Sequence, residues 1–295
     1  MAAPMVSGSC CALITPFRDG RVDERALREL VEWQIGQGTQ ALIPCGTTGE
    51  SPTLSHDEHR RVTEIVIATC GGRVPVIAGA GSNNTDEAIG LTQHAAQAGA
   101  DAALVVVPYY NKPSQDGIYQ HFKAVHDAAD IPIIIYNIPG RTVVEMTSET
   151  LGRLARLPRI VGVKDSTKDP VRPLATKAAA GAGFAQLSGE DGTVLPFLAM
   201  GGHGCISVSA NVAPAPLAEM HAAWRRGDVA TAQAINERLM PLHDAMFCEP
   251  SPAPAKFAAS VLGMCSEEVR LPIVPCSDAG RSQIRAAMQH AGLIA

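Results

Sequence analysis

The feature that most restricts this chain is an alternation repeated eight times. Short, β-branched, nearly all-apolar runs occupy Ser9–Ile14, Ala41–Pro44, Val74–Ala78, Ala102–Val107, Ile133–Tyr136, Ile160–Lys164, Phe184–Leu187 and Gly204–Val208. Between them lie longer amphipathic stretches such as Glu24–Gln37, His56–Cys70, Asp86–Gln97 and Gly117–Ala129. Apolar strands joined by helices imply a parallel sheet buried on both faces. Eight such units favour an α/β chain closed into a (β/α)8 barrel, with a doubly wound open sheet as the alternative. After the eighth run the pattern turns wholly helical, over Ala213–Arg226, Asp228–Met246, Pro254–Leu262 and Asp278–His290. We therefore divide the chain into a catalytic barrel, 1–225, and a C-terminal helical extension, 226–295. The Pro-rich stretch Glu249–Pro254 is a connection within that extension.

Composition narrows the function classes. Hydrophobic residues make up 46% and aromatics 4%, so the core is built from Ala, Val, Leu and Ile. A net charge of −5 without a dense Lys/Arg block argues against nucleic-acid binding. Eight cysteines are scattered without a C-x-x-C pair, as expected of reduced thiols in a cytosolic protein. Met1–Phe17 lacks a basic n-region, and no apolar run approaches the ~18 residues that span a bilayer. A cytoplasmic protein without membrane contact is expected.

A parallel barrel carries its chemistry at the C-terminal ends of its strands. Those ends read Gly46-Thr47-Thr48-Gly49-Glu50-Ser51 after strand two, Gly79-Ala80-Gly81-Ser82-Asn83 after strand three, and Pro108-Tyr109-Tyr110-Asn111 after strand four. Strand five ends in Tyr136-Asn137-Ile138-Pro139-Gly140-Arg141, strand six in Lys164-Asp165-Ser166, strand seven in Ser188-Gly189-Glu190-Asp191 and strand eight in Ser207. Lys164 closes an apolar run. There it either reaches solvent or serves as a nucleophile, because burial disfavours the ammonium and leaves an amine able to attack a carbonyl. Tyr136 is either a packing residue or a proton shuttle. Arg141 is either a surface charge or a bidentate carboxylate clamp. The Gly46–Glu50 loop offers hydroxyls and backbone N–H groups to a small carboxylate, but has neither the Lys nor the spacing of a P-loop. No G-x-G-x-x-G follows a strand, so no nucleotide cofactor is expected. His56 and His59, three apart, share one face at a helix start, which suits a solvated face better than a metal site lacking a third ligand. His203, ahead of strand eight, falls at the structural end of the barrel and is expected to be non-catalytic.

Taken together, these motifs closely resemble the dihydrodipicolinate (4-hydroxy-tetrahydrodipicolinate) synthase family along essentially the whole chain. The strand-end Lys and the G-T-T-G-E loop are common to the wider pyruvate-dependent class I aldolases. Tyr109-Tyr110-Asn111 and Pro139-Gly140-Arg141-Thr142 narrow the match. The resemblance implies a lyase that condenses pyruvate with L-aspartate 4-semialdehyde in lysine and diaminopimelate biosynthesis, through a Schiff base on Lys164. It implies no metal or organic cofactor. By the same resemblance Tyr136, Thr48 and Tyr110 form a proton relay, Tyr110 coming from a neighbouring subunit of a homotetramer built as a dimer of dimers. Thr47 and Thr48 hold the pyruvate carboxylate, Gly189 and Ile206 line its pocket, and Arg141 binds the semialdehyde carboxylate. Feedback inhibition by L-lysine is implied through Ser51, His56, His59, Asn83, Glu87 and Tyr109, although Pro52 stands where many sensitive members carry Ala. Two rivals are a sialic-acid lyase or 2-keto-3-deoxy sugar acid aldolase, which would leave Arg141 without a purpose, and a non-catalytic keto-acid sensor on the same barrel.

Overall fold

The computed structural model describes residues 5–295, so the first four residues of the Met1–Phe17 segment lie outside the described residues. Eight parallel strands alternating with helices, followed by further helices, give an α/β chain of the (β/α)8 barrel class with a C-terminal helical extension. All eight expected strands are present, each within about three residues of the boundaries read from the sequence. The chain forms two compact units, one built on Pro75–Ile206 and the other on Gly8–Val74 together with Ser207–Ala295.

In the first unit the strands Ile77–Gly79, Ala102–Val106, Ile133–Asn137, Ile160–Asp165, Ala185–Ser188 and Gly204–Ser207 pair in chain order, all parallel. Their register aligns Val106 with Tyr136, Tyr136 with Lys164, and Lys164 with Leu187. Two polar strand ends, Tyr136 and Lys164, are thus brought level, although each belongs to a different segment. Val105, Ile118, Phe122, Val125, Ile133 and Ile135 form the core beneath them. Each such side chain contributes about 1.5–3 kcal/mol by leaving water, which fixes the strands on which the polar ends stand. The helices begin where the sequence supplies caps: Asn84, Ser114 and Thr147 accept backbone N–H groups from Asp86, Gly117 and Thr150.

In the second unit Gly8–Ala12 pairs in parallel with Ala41–Ile43, aligning Cys10 with Ala41. Asn211, fully buried, accepts from the Ile14 N–H at 3.0 Å and donates to the Ala12 carbonyl at 2.8 Å. A small hairpin, Phe17–Arg18 with Arg21–Val22, turns at Asp19-Gly20, both at positive φ; the sequence reading passed over it although Asp-Gly is a strong hairpin signal. Helix His56–Cys70 opens with a complete capping box between Ser55 and Glu58. The expected C-terminal helices lie at Pro214–Arg225, Val229–Ala245, Ala253–Val261 and Asp278–His290. All eight cysteines are free thiols, six of them buried. Among the described residues no helix is long and apolar enough to cross a membrane.

Candidate active site

Lys164 and Tyr136 stand side by side because their strands pair in register at those two residues. Lys164 is only 6% exposed, and its Nζ lies 4.1 Å from the centre of the Tyr136 ring. Gly189 follows the next strand and donates its N–H to the Asp165 carbonyl at 2.7 Å. A β-carbon at Gly189 would stand 1.9 Å from Ser166 Oγ and 3.0 Å from Lys164 Cε. The space above Gly189 is therefore already filled by the end of the Lys164 chain and by Ser166, and a glycine is required there. Ile206, fully buried, sits one register step beyond the Cys205–Ser188 pair, beside Gly189. The structure thus brings together four residues predicted from the sequence: Lys164, Tyr136, Gly189 and Ile206.

It adds residues that the sequence reading left without a role. Ser166 is 6% exposed and its hydroxyl has no protein partner, so a buried donor stands two residues from the amine. Asn137, fully buried, donates from Nδ2 to Asp165 at 3.3 Å and accepts from the Met146 N–H at 3.0 Å. Asp165 also receives the Thr167 N–H at 3.0 Å, and the Arg172 guanidinium lies 3.9 Å away. This network fixes the ends of the two strands that carry Tyr136 and Lys164. The polar pairs Tyr136-Asn137 and Lys164-Asp165, each closing an apolar run, were its visible signal. Glu190 is half-buried, and desolvation pushes its carboxyl above the ordinary range, against the pull of the Lys168 ammonium 3.9 Å away.

Arg141 is exposed and stands on one turn of helix, Pro139–Thr142, rather than in the open loop expected. Pro139 presets the first helical φ, and Thr142 closes the turn by donating to the carbonyls of Ile138 and Val144 at 2.9 and 2.8 Å. His203 exchanges hydrogen bonds with the Gln186 backbone, its Nδ1 accepting at 3.0 Å, which is a structural tie. Among the described residues no group of three His, Cys, Asp or Glu could hold a metal ion.

In the other unit the Gly46–Ser51 loop folds into successive tight turns, with Gly49 and Glu50 donating to Gly46 and Thr47 at 3.1 Å each. Thr15 Oγ1 donates to the Gly49 carbonyl at 2.7 Å, and a β-carbon at Gly49 would press on Cys45 N and Leu13 O at 3.0 Å. Thr48 is buried and Thr47 partly so. Cys45 and Glu50, at either side of the loop, adopt positive φ (55° and 56°), a strained state for side chains of their kind.

The residues assigned to a regulatory ligand fall into two sets. Asn83 Nδ2 donates to the Tyr109 carbonyl at 3.2 Å, Asn111 Nδ2 donates back to the Asn83 carbonyl at 2.9 Å, and Glu87 accepts from Ser82 Oγ, so Asn83, Glu87 and Tyr109 lie in one cluster. Ser51, His56 and His59 lie in the other unit. There the two histidines differ, contrary to the single solvated face expected: His56 is exposed, whereas His59 turns inward and is 5% exposed. Tyr110 is 87% exposed at φ 71°, and Lys112 also has positive φ, so this segment is held outward in a conformation that costs energy.

Sequence and structure comparisons agree on one family. The model of the dihydrodipicolinate synthetase family matches residues 5–291. A 4-hydroxy-tetrahydrodipicolinate synthase from Acidiphilium cryptum is 62% identical over 292 residues, covering 99% of this chain and 100% of its own. The crystal structure of the chloride-inhibited dihydrodipicolinate synthase from Acinetobacter baumannii complexed with pyruvate superposes with a TM-score of 0.96 at 44% identity, covering 98% of this chain and 100% of that one. The enzyme from Cyanidioschyzon merolae with lysine bound gives a TM-score of 0.96 at 39% identity, covering 99% and 100% of the two chains.

Proposed function

This chain belongs to the dihydrodipicolinate synthase family and is a lyase of it; from that premise we propose that it condenses pyruvate with L-aspartate 4-semialdehyde through an imine on Lys164. The amine of Lys164 adds to the keto carbon of pyruvate, and loss of water leaves the imine. The protonated imine serves as electron sink while a methyl proton leaves, giving an enamine. The enamine carbon attacks the semialdehyde aldehyde, and the second substrate's own amine then displaces Lys164 as the ring closes to 4-hydroxy-tetrahydrodipicolinate. No redox change occurs, so the sequence of steps needs no electron acceptor.

The observation that carries this reading is the buried Lys164 amine set 4.1 Å over the Tyr136 ring and packed against a glycine that admits no side chain. The packing holds the amine in one place, and the adjacent phenol is placed to pass protons. The remaining roles come from the family resemblance. Thr48 and Tyr110 complete the proton relay, and Thr47 with Thr48 receives the pyruvate carboxylate. Gly189 and Ile206 line its pocket, and Arg141 takes the carboxylate of the semialdehyde. The outward pose of Tyr110 supports its use by a neighbouring subunit, in a homotetramer made as a dimer of dimers. L-Lysine is the proposed inhibitor, bound by Ser51, His56, His59, Asn83, Glu87 and Tyr109; the Asn83–Tyr109 hydrogen bond and the neighbouring Glu87 support half of that site. The catalytic barrel, 1–225, and the helical extension, 226–295, would work as one cytoplasmic enzyme of lysine and diaminopimelate synthesis.

Incubation with pyruvate and borohydride, followed by peptide mass mapping, tests the central step. The expected product is a single reduced adduct on Lys164, absent from Lys164→Ala. Trapping at another residue, or undiminished trapping in that variant, overturns the assignment, and a keto-acid sensor would form no adduct at all.

A further inference from the structure

Lys256 is a cation with no place in the chemistry above, and its side chain is wholly buried. It stands in helix Ala253–Val261, whose first seven residues are all buried. Its Nζ donates to Glu50 Oε1 at 2.6 Å and lies 3.8 Å over the Phe17 ring. The other oxygen of Glu50 accepts the Arg270 backbone N–H at 3.0 Å. The Arg270 side chain continues the contact: it donates to the Thr53 carbonyl at 2.9 Å and the Gly20 carbonyl at 2.8 Å, forks onto both oxygens of Glu58, and also lies over the Phe17 ring, 4.2 Å from its centre. Glu50 itself is the last residue before Ser51 in the loop that carries Thr47 and Thr48.

We propose that Glu50, Lys256 and Arg270 are positioning residues, forming a buried clamp that sets the Gly46–Ser51 backbone so that Thr47 and Thr48 meet a keto-acid carboxylate in one fixed geometry. The inference rests on the keto-acid reading of that loop. Three observations lead to it. Glu50 is 3% exposed and directs its carboxylate into the unit, so it is not itself a group that meets substrate. Each of its oxygens has its own donor, one on a side chain and one on the backbone, which fixes the carboxylate in two directions. Glu50 also holds a left-handed φ of 56°, a conformation that persists only where the surroundings impose it. A buried ion pair is weak evidence for stability, since an apolar pair of similar volume often does as well; its better-attested contribution is to specify one arrangement.

The chemistry of the clamp chooses the variants. Glu50→Gln keeps the shape but leaves one acceptor oxygen for two donors, and Lys256→Met keeps the chain but removes the charge. In each, the pyruvate KM is expected to rise about tenfold, the loss of one charge-assisted hydrogen bond, while kcat at saturating pyruvate stays within about threefold. Amide exchange at Thr47 and Thr48 should quicken by about the same factor. Removing both buried charges together, in Glu50→Gln/Lys256→Met, should recover the melting temperature without recovering the KM. If the buried variants do not fold, Arg270→Gln reads the same clamp from its outer end, where the side chain is 19% exposed. Pyruvate KM and loop exchange within twofold of wild type in the folded variants overturn the proposal, as does a double variant that regains KM along with its melting temperature. A wild-type protein that forms no borohydride adduct with pyruvate would instead refute the keto-acid reading, and the exchange measurements would still judge the clamp.

Discussion

Gly189→Ala isolates the fit around Lys164 from every other effect. The φ of Gly189 is outside the left-handed region, so alanine adopts the same backbone and the change is purely steric. The new methyl meets Ser166 Oγ at 1.9 Å, Lys164 Cε at 3.0 Å and Ser166 Cβ at 3.2 Å. Rotation of the serine hydroxyl relieves the first contact at little expense. The other two remain, and Lys164 Cε must retreat roughly 0.5–1 Å to reach ordinary van der Waals separation. Misplacing a reacting group by about 1 Å costs up to about 10²-fold, so the rate of imine formation with pyruvate should fall about 10–100-fold. That corresponds to about 1.4–2.7 kcal/mol in the barrier. Overpacking should also lower stability by about 1–3 kcal/mol. Gly183→Ala is the matched control, because nothing lies within 4 Å of its β-carbon position. Single-turnover borohydride trapping gives the rate, and a thermal melt gives the stability. A Gly189→Ala protein that traps pyruvate at the wild-type rate would show that the amine is not held against Gly189 and would refute the geometry on which the site is built.

Tyr136→Phe should retain pyruvate binding and lose about 10²–10⁴-fold in turnover, as for other general acid–base groups; unchanged turnover would reduce the phenol to packing. Arg141→Ala should raise the semialdehyde KM about 30-fold, near the lower end of the ~2–5 kcal/mol range for a lost charge pair because the residue is exposed. A collapse of pyruvate affinity instead would place the clamp on the wrong substrate. Millimolar L-lysine should slow the wild type and leave Glu87→Thr less affected, and initial rates that do not move with lysine would remove the regulatory claim alone. Burial lowers the His121 imidazole from 6.5 to about 4, with Thr85 Oγ1 3.0 Å from its Nδ1. The unfolded chain therefore takes up this proton first, so stability is full above pH ~6.5 and falls towards pH 4 by up to about 3 kcal/mol. Melting curves of His121→Gln should show a shallower loss over that window; identical slopes would place the acid sensitivity elsewhere.

The barrel strands were legible because each is an apolar run buried on both faces, a pattern that survives any detail of packing. Lys164 and Tyr136 were legible for the same reason, as polar residues that close such runs. What the sequence hid was pairing at long range. Nothing near Glu50 indicates that its carboxylate turns away from the loop, and its partner stands 206 residues later. A signal did exist in Ala253–Val261, where a lysine is the single charged residue of a helix made otherwise of small and apolar residues. The opposite fates of His56 and His59 were also beyond reach of spacing. Residues three apart lie about 60° around a helix from each other, enough for the edge of the buried face to pass between them. The helical turn that carries Arg141 was missed because four residues cannot display a period of 3.6. Ser166 went unassigned because only its neighbour across the sheet, Gly189, reveals how little room surrounds it.

The Glu50–Lys256 pair also bears on how the protein comes into being. At ordinary synthesis rates of about 5–20 residues per second, Lys256 leaves the ribosome roughly 10–40 s after Glu50. Lys164 and Tyr136 are both translated within that interval, and the greater part of their unit is the continuous stretch Pro75–Ile206. The nascent chain thus carries Lys164 before the partner of Glu50 exists. On the clamp reading, order in the Gly46–Ser51 backbone arrives late and all at once, with the helix that brings Lys256, and a polypeptide stalled before that helix would carry the loop without the contact that sets it.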